Sequence, residues 1–524
     1  MHHSPRWPRI VASLTALLVA LSACLALLPG AAASAASASS PRVHGAKAAA
    51  TRKAATKKAA TRKAATKKAA TRKAATKKAA AKKRAELLAR RRAERRKAAR
   101  LRARLARVDP RRPSTWLRYA PVHADPASGP HFNNPYGTRT ERRALLNQVI
   151  AAIDEAPGYV RPKDRRTHRL RPCPTKPRFF PSRIRIAVYS VTDKPFADAL
   201  VAADRRCVSV QILMNSHLTA TTSPAWGELV HALGERGSDY GHRRSFVHRC
   251  SNGCLGNAVL HSKFYLFSRS DSARYTVMVG SSNMSGNAGN IQWNDLYTVT
   301  GNKPLFSQYR GMFRAMVPDR PGSGPRVFRA GPYTSMFYPF RRATPKTDLT
   351  MKQLRSITCS HAQGGAGIHG HSVLYVAMHS WHGTRGLYLA RQVRDMYRRG
   401  CYVRILYSFM SARVFATLTE GAGPRMVARR VLFGGPRGVV AAKYSHMKMF
   451  AASGNIAGDR SGWVVWTGSS NWSDRATRSD EVTLRIPSKS VYQSYVEHWK
   501  FMRHRRSSAR WATFREPLGG GRAP

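Results

Sequence analysis

A pattern of histidine, lysine, serine and asparagine occurs twice in this chain, in the same order and at similar spacing. Each copy is a His-x-Lys triplet followed by a Gly-Ser-Ser-Asn segment, and the polar members are His261, Lys263, Ser281, Asn283, His446, Lys448, Ser469 and Asn471. An imidazole can attack phosphorus, and a second imidazole can protonate the leaving oxygen. Lysine supplies a point charge and asparagine donates hydrogen bonds, so both suit phosphoryl oxygens. The two copies together predict a phosphate site that works with two histidines.

An acidic residue follows each asparagine, namely Asp295 in QWND and Glu481 in RSDE. A carboxylate that accepts a hydrogen bond from the far ring nitrogen of a histidine fixes the tautomer of that ring. We therefore expect Asp295 and Glu481 to support the two histidines; the alternative is a pair of solvated carboxylates beside turns. No metal or other cofactor is expected, because lysine and asparagine supply the positive charge and the hydrogen bonds.

The segments around each pattern have the composition of short β-strands. LHSKFYLF and YTVMVG flank the first copy, and HMKMFAA and WVVWTG flank the second; all are rich in β-branched and aromatic residues. Side chains two residues apart in a strand share a face, so the histidine and lysine of each copy project together. Each half also contains a strand, a helix and a strand in succession. This order predicts an α/β fold with parallel pairing.

The duplicated His-x-Lys and Gly-Ser-Ser-Asn motifs resemble those of the phospholipase D superfamily, over roughly residues 130–515. Members of that superfamily usually carry an aspartate five residues after each lysine, where this chain has Ser268 and Ser453. The resemblance implies two related α/β/α halves, with mixed sheets packed around one shared active-site cleft. It also implies phosphodiester cleavage through a phosphohistidine, with the N-terminal His261 as nucleophile and His446 as the acid that protonates the leaving alcohol.

The cysteines follow the same repeat. Apart from Cys24 there are six, an even number that suits a secreted protein. Cys173 and Cys359 each lie before the first strand of a half, and Cys207 and Cys401 each lie where the second strand begins. We therefore predict three disulfides, which are Cys173–Cys207, Cys359–Cys401 and the local pair Cys250–Cys254.

The N-terminus has the features of a secretory signal peptide over residues 1–38. Arg6 and Arg9 precede an apolar run from Ile10 to Leu28, and small residues with possible cleavage sites follow. The prediction is therefore a secreted, extracellular protein. Two alternatives are a lipoprotein signal at Cys24 and an uncleaved membrane anchor, since the run is nearly long enough to span a bilayer.

A strongly basic, low-complexity tail is predicted over residues 39–112. The unit TRKAATKKAA occurs three times from Thr51 to Ala80, and lysine plus arginine number 91 in the whole chain against 26 aspartates and glutamates, a net charge of +65. The repeat has no apolar stripe, which predicts disorder in isolation, whereas residues 81–108 suit a basic helix. The tail is similar in composition to the Lys/Ala-rich tails of linker histones and bacterial histone-like proteins, which implies binding to phosphate backbones. A tether to another polyanion, such as a wall polymer, is the alternative.

The predicted domains are therefore the signal peptide, the tail, a first half over residues 113–340 and a second half over 341–524. The sequence favours a phospholipase that hydrolyses phospholipids, because two motifs occur in one polypeptide of phospholipase-like size. Two motifs in one chain also favour a monomer. An extracellular nuclease that acts on DNA or RNA is one alternative. A catalytically silent protein that binds polyanions is another.

Overall fold

The computed structural model describes residues 47–119, 125–217, 221–235, 243–322, 324–340, 343–433 and 443–507. The predicted signal peptide, with its lipoprotein and anchor alternatives, lies outside the described residues. Among the residues that are described, no helix is both long enough and apolar enough to cross a membrane.

The basic tail forms one continuous helix, α1 (Lys47–Ala106). Alanine has the highest helix propensity of all residues, and threonine hydroxyls bond back to carbonyls one turn earlier, as in Thr66 Oγ1 to Arg62 O at 2.6 Å. This helix replaces the disorder expected for residues 51–80, because local propensity favours it without tertiary packing. Its described side chains, from residue 57 onwards, are all exposed, so it buries no apolar face.

The remaining helices are α2 (Arg139–Arg142), α3 (Ala144–Asp154), α4 (Lys194–Arg205), α5 (Pro224–Leu233), α6 (Gly286–Asn290), α7 (Lys303–Met316), α8 (Leu349–Arg355), α9 (Gly383–Arg398), α10 (Ala412–Thr419), α11 (Asp474–Arg478) and α12 (Lys489–Ser507). The strands of the first half are β1 (Arg118–Tyr119), β2 (Gly129–Phe132), β3 (Gly158–Tyr159), β4 (Arg183–Val188), β5 (Ser209–Asn215), β6 (Phe246–Cys250), β7 (Phe264–Ser270), β8 (Ala273–Gly280), β9 (Gln292–Trp293) and β10 (Asp295–Val299). Those that follow are β11 (Arg326–Ala330), β12 (Tyr333–Phe337), β13 (Ile357–Thr358), β14 (Val373–Trp381), β15 (Tyr402–Met410), β16 (Met426–Arg430), β17 (Leu432–Phe433), β18 (Lys443–Ser445), β19 (Lys448–Ile456), β20 (Asp459–Gly468) and β21 (Val482–Pro487).

Two large mixed sheets form the body of the described chain. The first has the order β2-β10-β8-β7-β4-β5-β6, and the second has the order β11-β12-β21-β20-β19-β14-β15-β16, with β13 against β19. In each sheet three strands pair in parallel, β4, β5 and β6 in one and β14, β15 and β16 in the other. The other neighbours in both sheets are antiparallel. The predicted fold class, two related α/β halves with mixed sheets, is confirmed.

The border between the halves lies earlier than residue 340, where the sequence placed it. Strands β11 and β12 join the second sheet, because β12 pairs antiparallel with β21. The counterpart of β12 in the first half is β2, which pairs antiparallel with β10. The hairpin sequence has ordinary strand composition and carries no signal for the sheet edge that it joins, so the sequence could not assign it.

Three apolar clusters hold the layers together. One packs α3, α4 and α5 on the outer face of the first sheet, and one packs α8, α9 and α10 on the outer face of the second. The third contains the inner faces of both sheets together with α7 and α12, whose Tyr309, Tyr495 and Trp499 are fully buried. This central cluster joins the halves, so the strand ends that carry the two motifs are held against each other.

The disulfide prediction is confirmed in all three pairs, Cys173–Cys207, Cys250–Cys254 and Cys359–Cys401. The two serines that stand where related proteins usually have aspartate make ordinary hydrogen bonds, one within the first sheet and one to helix α12. Ser268 Oγ accepts from the backbone N–H of Arg183 at 2.8 Å, and Ser453 Oγ donates to the Tyr492 hydroxyl at 3.1 Å.

Candidate active site

Each His-x-Lys motif belongs to one half of the body and is bonded to the other half. The backbone N–H of His261 donates to the carbonyl of Asp480 at 3.0 Å, and that of His446 donates to the carbonyl of Trp293 at 2.9 Å. Short strands reinforce the second contact, because β18 pairs in parallel with β9. The reciprocal contacts bring both motifs to one place, as a site with two histidines requires.

His261 is held by a carboxylate from the second half. Its Nδ1 lies 2.8 Å from Oε1 of Glu481, whose side chain is 2% exposed. Burial raises the pKa of Glu481 to about 8. Burial also lowers the pKa of His261 well below its usual value, and the charges of Lys263 and Lys448 add to that effect. Burial therefore disfavours the state in which Glu481 and His261 are both charged when no anionic substrate is bound.

His446 is held by an amide, not by a carboxylate. Its Nδ1 lies 2.9 Å from Oδ1 of Asn294, and burial lowers the pKa of His446 well below its usual value. The strand register explains the choice: Gly280 pairs with Leu296 and Gly468 pairs with Thr483. Asn294 lies two residues before Leu296, and Glu481 lies two residues before Thr483. Asn294 is therefore the counterpart of Glu481. The sequence-based alignment of Asp295 with Glu481 is therefore wrong by one residue.

Asp295 lies behind the site and supports the first Gly-Ser-Ser-Asn segment. Its buried carboxylate accepts hydrogen bonds from Ser281 Oγ at 2.7 Å, from the Tyr495 hydroxyl at 2.8 Å and from the Thr467 hydroxyl. Burial raises its pKa. The predicted role of Asp295 as a partner of a histidine is replaced by this role as an anchor for both halves, since Ser281 is in one half and Thr467 in the other.

The two lysines are buried and have no carboxylate within ion-pairing distance among the described residues. Each Nζ donates to the carbonyl of the histidine in its own motif, Lys263 to His261 and Lys448 to His446. Burial lowers the pKa of Lys263 to about 7. Burial and the neighbouring Lys263 lower the pKa of Lys448. The positive charge on each lysine disfavours the charge on the other. A bound anion would stabilise both charges, so the two lysines suit an anion-binding site.

The two asparagines occupy matching positions beside the motifs. Asn283 and Asn471 are each followed by a short helix, and in both the Oδ1 atom is buried without a hydrogen-bond partner. Rotation of the amide about its last bond would place an N–H donor there instead. Ser281 bonds to Asp295, whereas Ser469 Oγ accepts from the backbone N–H of Val482 at 3.0 Å. The serines therefore fix the segments, and the asparagine amides are left for a ligand.

Aromatic and histidine side chains beside the two His-x-Lys motifs were not found from the sequence. Tyr189 lies edge-on to His261 at 5.3 Å between ring centroids, and it stacks on His217 at 4.1 Å. His379 lies 4.7 Å from the ring of His446 and 5.2 Å from Phe409. Tyr189 directly follows β4, and His379 occupies the matching position within β14. A comparison of these strand ends in the two halves would have indicated them.

Comparison with known proteins relates part of the chain to a described family. Residues 181–317 match the family model described as cardiolipin synthase, PLD-like domain. The chain thus contains a phospholipase D-like domain, and the predicted relationship to the phospholipase D superfamily is confirmed. No curated protein sequence matches the chain.

Several solved structures are similar in part. Polyphosphate kinase from Porphyromonas gingivalis is 11% identical with a TM-score of 0.42, over 71% of this chain and 50% of the kinase. This chain therefore spans half the length of that kinase. Phosphatidylserine synthase of Haemophilus influenzae is 13% identical with a TM-score of 0.42, over 69% of this chain and 84% of the synthase. NucT from Helicobacter pylori is 18% identical with a TM-score of 0.24, over 37% of this chain and 96% of NucT.

Proposed function

We propose that this protein hydrolyses phosphodiesters through a covalent phosphoryl adduct on His261. One observation carries the proposal. Two imidazoles from different halves are each held at Nδ1, by Glu481 and Asn294. They are flanked by Lys263 and Lys448, which have no ion-pairing partner in the part of the chain that the structure describes. The lysines and the asparagine amides hold the phosphoryl oxygens, and the two histidines supply the nucleophile and the acid.

The different partners of the histidines assign their roles. Glu481 accepts the Nδ1–H of His261, which leaves the Nε2 lone pair free to attack phosphorus and offsets the positive charge that develops on the ring. Asn294 is neutral and does not stabilise an imidazolium to the same extent. His446 therefore gives up its Nε2 proton readily, and we assign it as the general acid.

The reaction balances in two steps. His261 Nε2 forms a bond to phosphorus as the bond to the leaving alcohol breaks, and the proton of His446 goes to that oxygen. Water then attacks phosphorus and transfers a proton to His446. The nitrogen–phosphorus bond breaks, and both histidines return to their starting states.

The partner of His446 should control the pH dependence of activity. In Asn294→Asp a carboxylate would lie against Nδ1 of His446, and an opposite charge at this distance raises a pKa by about 1–3 units. Activity falls as pH rises through the pKa of an acid that must be protonated. We therefore expect the alkaline limb of the kcat/KM profile to move to higher pH by about 1–3 units.

Asn290→Asp adds the same charge at an exposed position nearby, and this control should leave the limb in place. An unmoved limb in Asn294→Asp would contradict the assignment of His446.

The side chains beside the site favour a nucleic acid strand as the substrate. Tyr189 and His217 are stacked and partly exposed, and His379 lies next to Phe409, which is 40% exposed. Flat groups of this kind stack on unpaired bases. The net charge of +65 attracts any polyanion.

Phospholipid is the second candidate substrate. The presence of two motifs in one chain, which favours a phospholipase, supports it. Exposed Phe409 and Phe415 in the second half are the observation in its favour. Both could contact the apolar part of a lipid surface.

We propose that α1 holds the polyanion on which the site acts. Its described side chains are exposed and carry positive charge on all sides. Such a helix neutralises phosphates without reading bases. Secretion, which the N-terminal sequence predicts, would place this binding outside the cell. The chain is proposed to act as a monomer, since both motifs of the site lie in one polypeptide.

The substrate assay uses the full chain in excess EDTA with two substrates, a labelled single-stranded oligonucleotide and phospholipid vesicles. We expect cleavage of the strand by the wild-type protein and none by His261→Ala. Headgroup release without strand cleavage would instead identify phospholipid as the substrate. Failure to process either substrate would contradict the enzymatic proposal and favour a silent polyanion binder. His231→Ala, which changes an exposed histidine on α5, is the matched control and should retain full activity.

A further inference from the structure

Four arginines gather at the end of β4 that lies away from the active site. Arg183 and Arg185 are two residues apart on β4 and share one face of the sheet, and Arg310 and Arg314 are four residues apart on α7, which packs against β4. We call these four residues the arginine cluster. At about 3.3 Å per strand residue, Arg185 lies about 13 Å from Tyr189 beside His261.

Arg185 is buried, with 8% of its surface exposed, and the Nε atom of its guanidinium lacks a hydrogen-bond partner. Among the described residues, no carboxylate lies within ion-pairing distance of any member of the cluster. Burial lowers the pKa of Arg185 to about 10, and the charges of Arg183, Arg314 and Arg310 add to this. A buried charge is normally paired, because leaving it unpaired is costly.

The fold itself does not require an arginine here. The two halves repeat, and the residue of β14 that matches Arg185 is Tyr375, since Arg185 and Tyr375 each lie four residues before Tyr189 and His379. Tyr375 packs edge-on against Trp499 at 5.1 Å and against Tyr492 at 6.3 Å. The second half therefore fills this layer with aromatic rings, whereas the first half places a charge there.

The cluster also has an opening to solvent. Arg314 is exposed and Arg310 is half-buried. The guanidinium of Arg183 donates through Nη2 to the carbonyl of Pro177 at 2.7 Å and lies 5.5 Å from the centre of the Phe180 ring. Beside Arg183 lies the neutral Ser268, whose hydroxyl accepts the backbone N–H of Arg183. The four positive charges are close enough to act on one another, and a small anion can reach the exposed members from the surface.

We propose that the arginine cluster is a second anion site, separate from the catalytic centre, which takes a phosphate group as free phosphate or as a terminal phosphate ester. Guanidinium forks match tetrahedral oxyanions in two-point hydrogen bonds. An anion with two negative charges offsets the mutual repulsion of the cluster better than a carboxylate does. This proposal stands independently of the proposed function, because it uses no residue of the active site.

The test compares thermal unfolding of the wild-type protein and Arg185→Met in sodium phosphate and in sodium chloride at equal ionic strength. We expect phosphate to raise the Tm of the wild type by roughly 2–4 °C more than that of the variant. Phosphate that binds at the catalytic lysines contributes equally to both proteins and cancels. In chloride, Arg185→Met should have the higher Tm, since the unpaired charge is gone. Equal phosphate shifts in both proteins would overturn the proposal.

A second variant covers the case in which Arg185→Met does not fold. Arg314→Gln changes an exposed side chain, so the fold is kept, and the phosphate shift should be smaller than in the wild type. An unchanged shift in Arg314→Gln would count against the cluster. Glycerol 3-phosphate serves as the second ligand: a larger shift than that with inorganic phosphate identifies a terminal ester, and an equal shift identifies free phosphate.

Discussion

Replacement of His261 by alanine is expected to lower kcat by at least about 10⁴-fold, because it removes the atom that bonds to phosphorus. The fold should be unaffected, since the ring is 14% exposed at the surface of the site and its side chain bonds to Glu481 and to the backbone of Ser469, neither of which is a core contact between strands. Single-turnover kinetics on the preferred substrate, with excess enzyme, measures the chemical step directly.

The control for this result is a neighbouring histidine. His217 stacks on Tyr189 and hydrogen-bonds to Asn215, so His217→Ala should change KM far more than kcat. A loss in His217→Ala as large as that in His261→Ala would contradict the assignment of the nucleophile. So would a His261→Ala protein that retains more than about a hundredth of the wild-type kcat, since general acid catalysis alone accounts for factors of that order.

Loss of Arg385 is expected to have the largest effect on stability. Its guanidinium is 1% exposed and bonds to Asp348 through Nε at 2.7 Å, to Thr350 at 3.1 Å and to the carbonyl of Asn471 at 2.5 Å. In Arg385→Ala the carboxylate of Asp348 would be left buried and unpaired. Breaking a buried pair in this way costs about 3–5 kcal/mol. Thermal or denaturant unfolding should show this loss.

A double variant separates the ion pair from the packing. Arg385→Met combined with Asp348→Leu removes both charges and keeps most of the volume, so its free energy of unfolding should lie within about 1–2 kcal/mol of the wild type. The second-half asparagine loses its backbone contact in both variants, and activity should fall in both. If Arg385→Ala were as stable as the wild type, the pair would not hold the segment that carries Asn471.

Local patterns in the sequence were enough to predict the motifs, the related halves and all three disulfides. The pairing of Cys173 with Cys207 and of Cys359 with Cys401 could be predicted because the repeat places each pair at matching strand ends. The strand–helix–strand order in each half was sufficient for the fold class.

Exact registers could not be predicted in the same way. Asn294 and Asp295 are adjacent, and both can accept a hydrogen bond from a histidine. Only the pairing of β8 with β10 shows which of them faces His446. A shift of one residue moves a side chain to the opposite face of a strand. The helix over residues 51–80 follows from the high helix propensity of alanine, whereas the missing apolar stripe predicts disorder for the same segment.

The arginine cluster could not be predicted from the sequence either. Arginine is frequent throughout this chain, and nothing in the strand IRIAV distinguishes Arg185 from a solvated residue. Its burial results from the packing of α7 on β4, which are separated by more than a hundred residues in the chain. Long-range contacts of this kind are visible only once the layers are assembled.

Rapid acid or base quenching of the enzyme during turnover, followed by mass spectrometry of its peptides, tests the central claim most directly. A nitrogen–phosphorus bond is labile in acid and stable in base, so the adduct should survive base quenching alone. We predict an adduct on the peptide that contains His261, and none in His261→Ala. An adduct on the peptide that contains His446, or turnover of a substrate with no adduct on either peptide, would contradict the account.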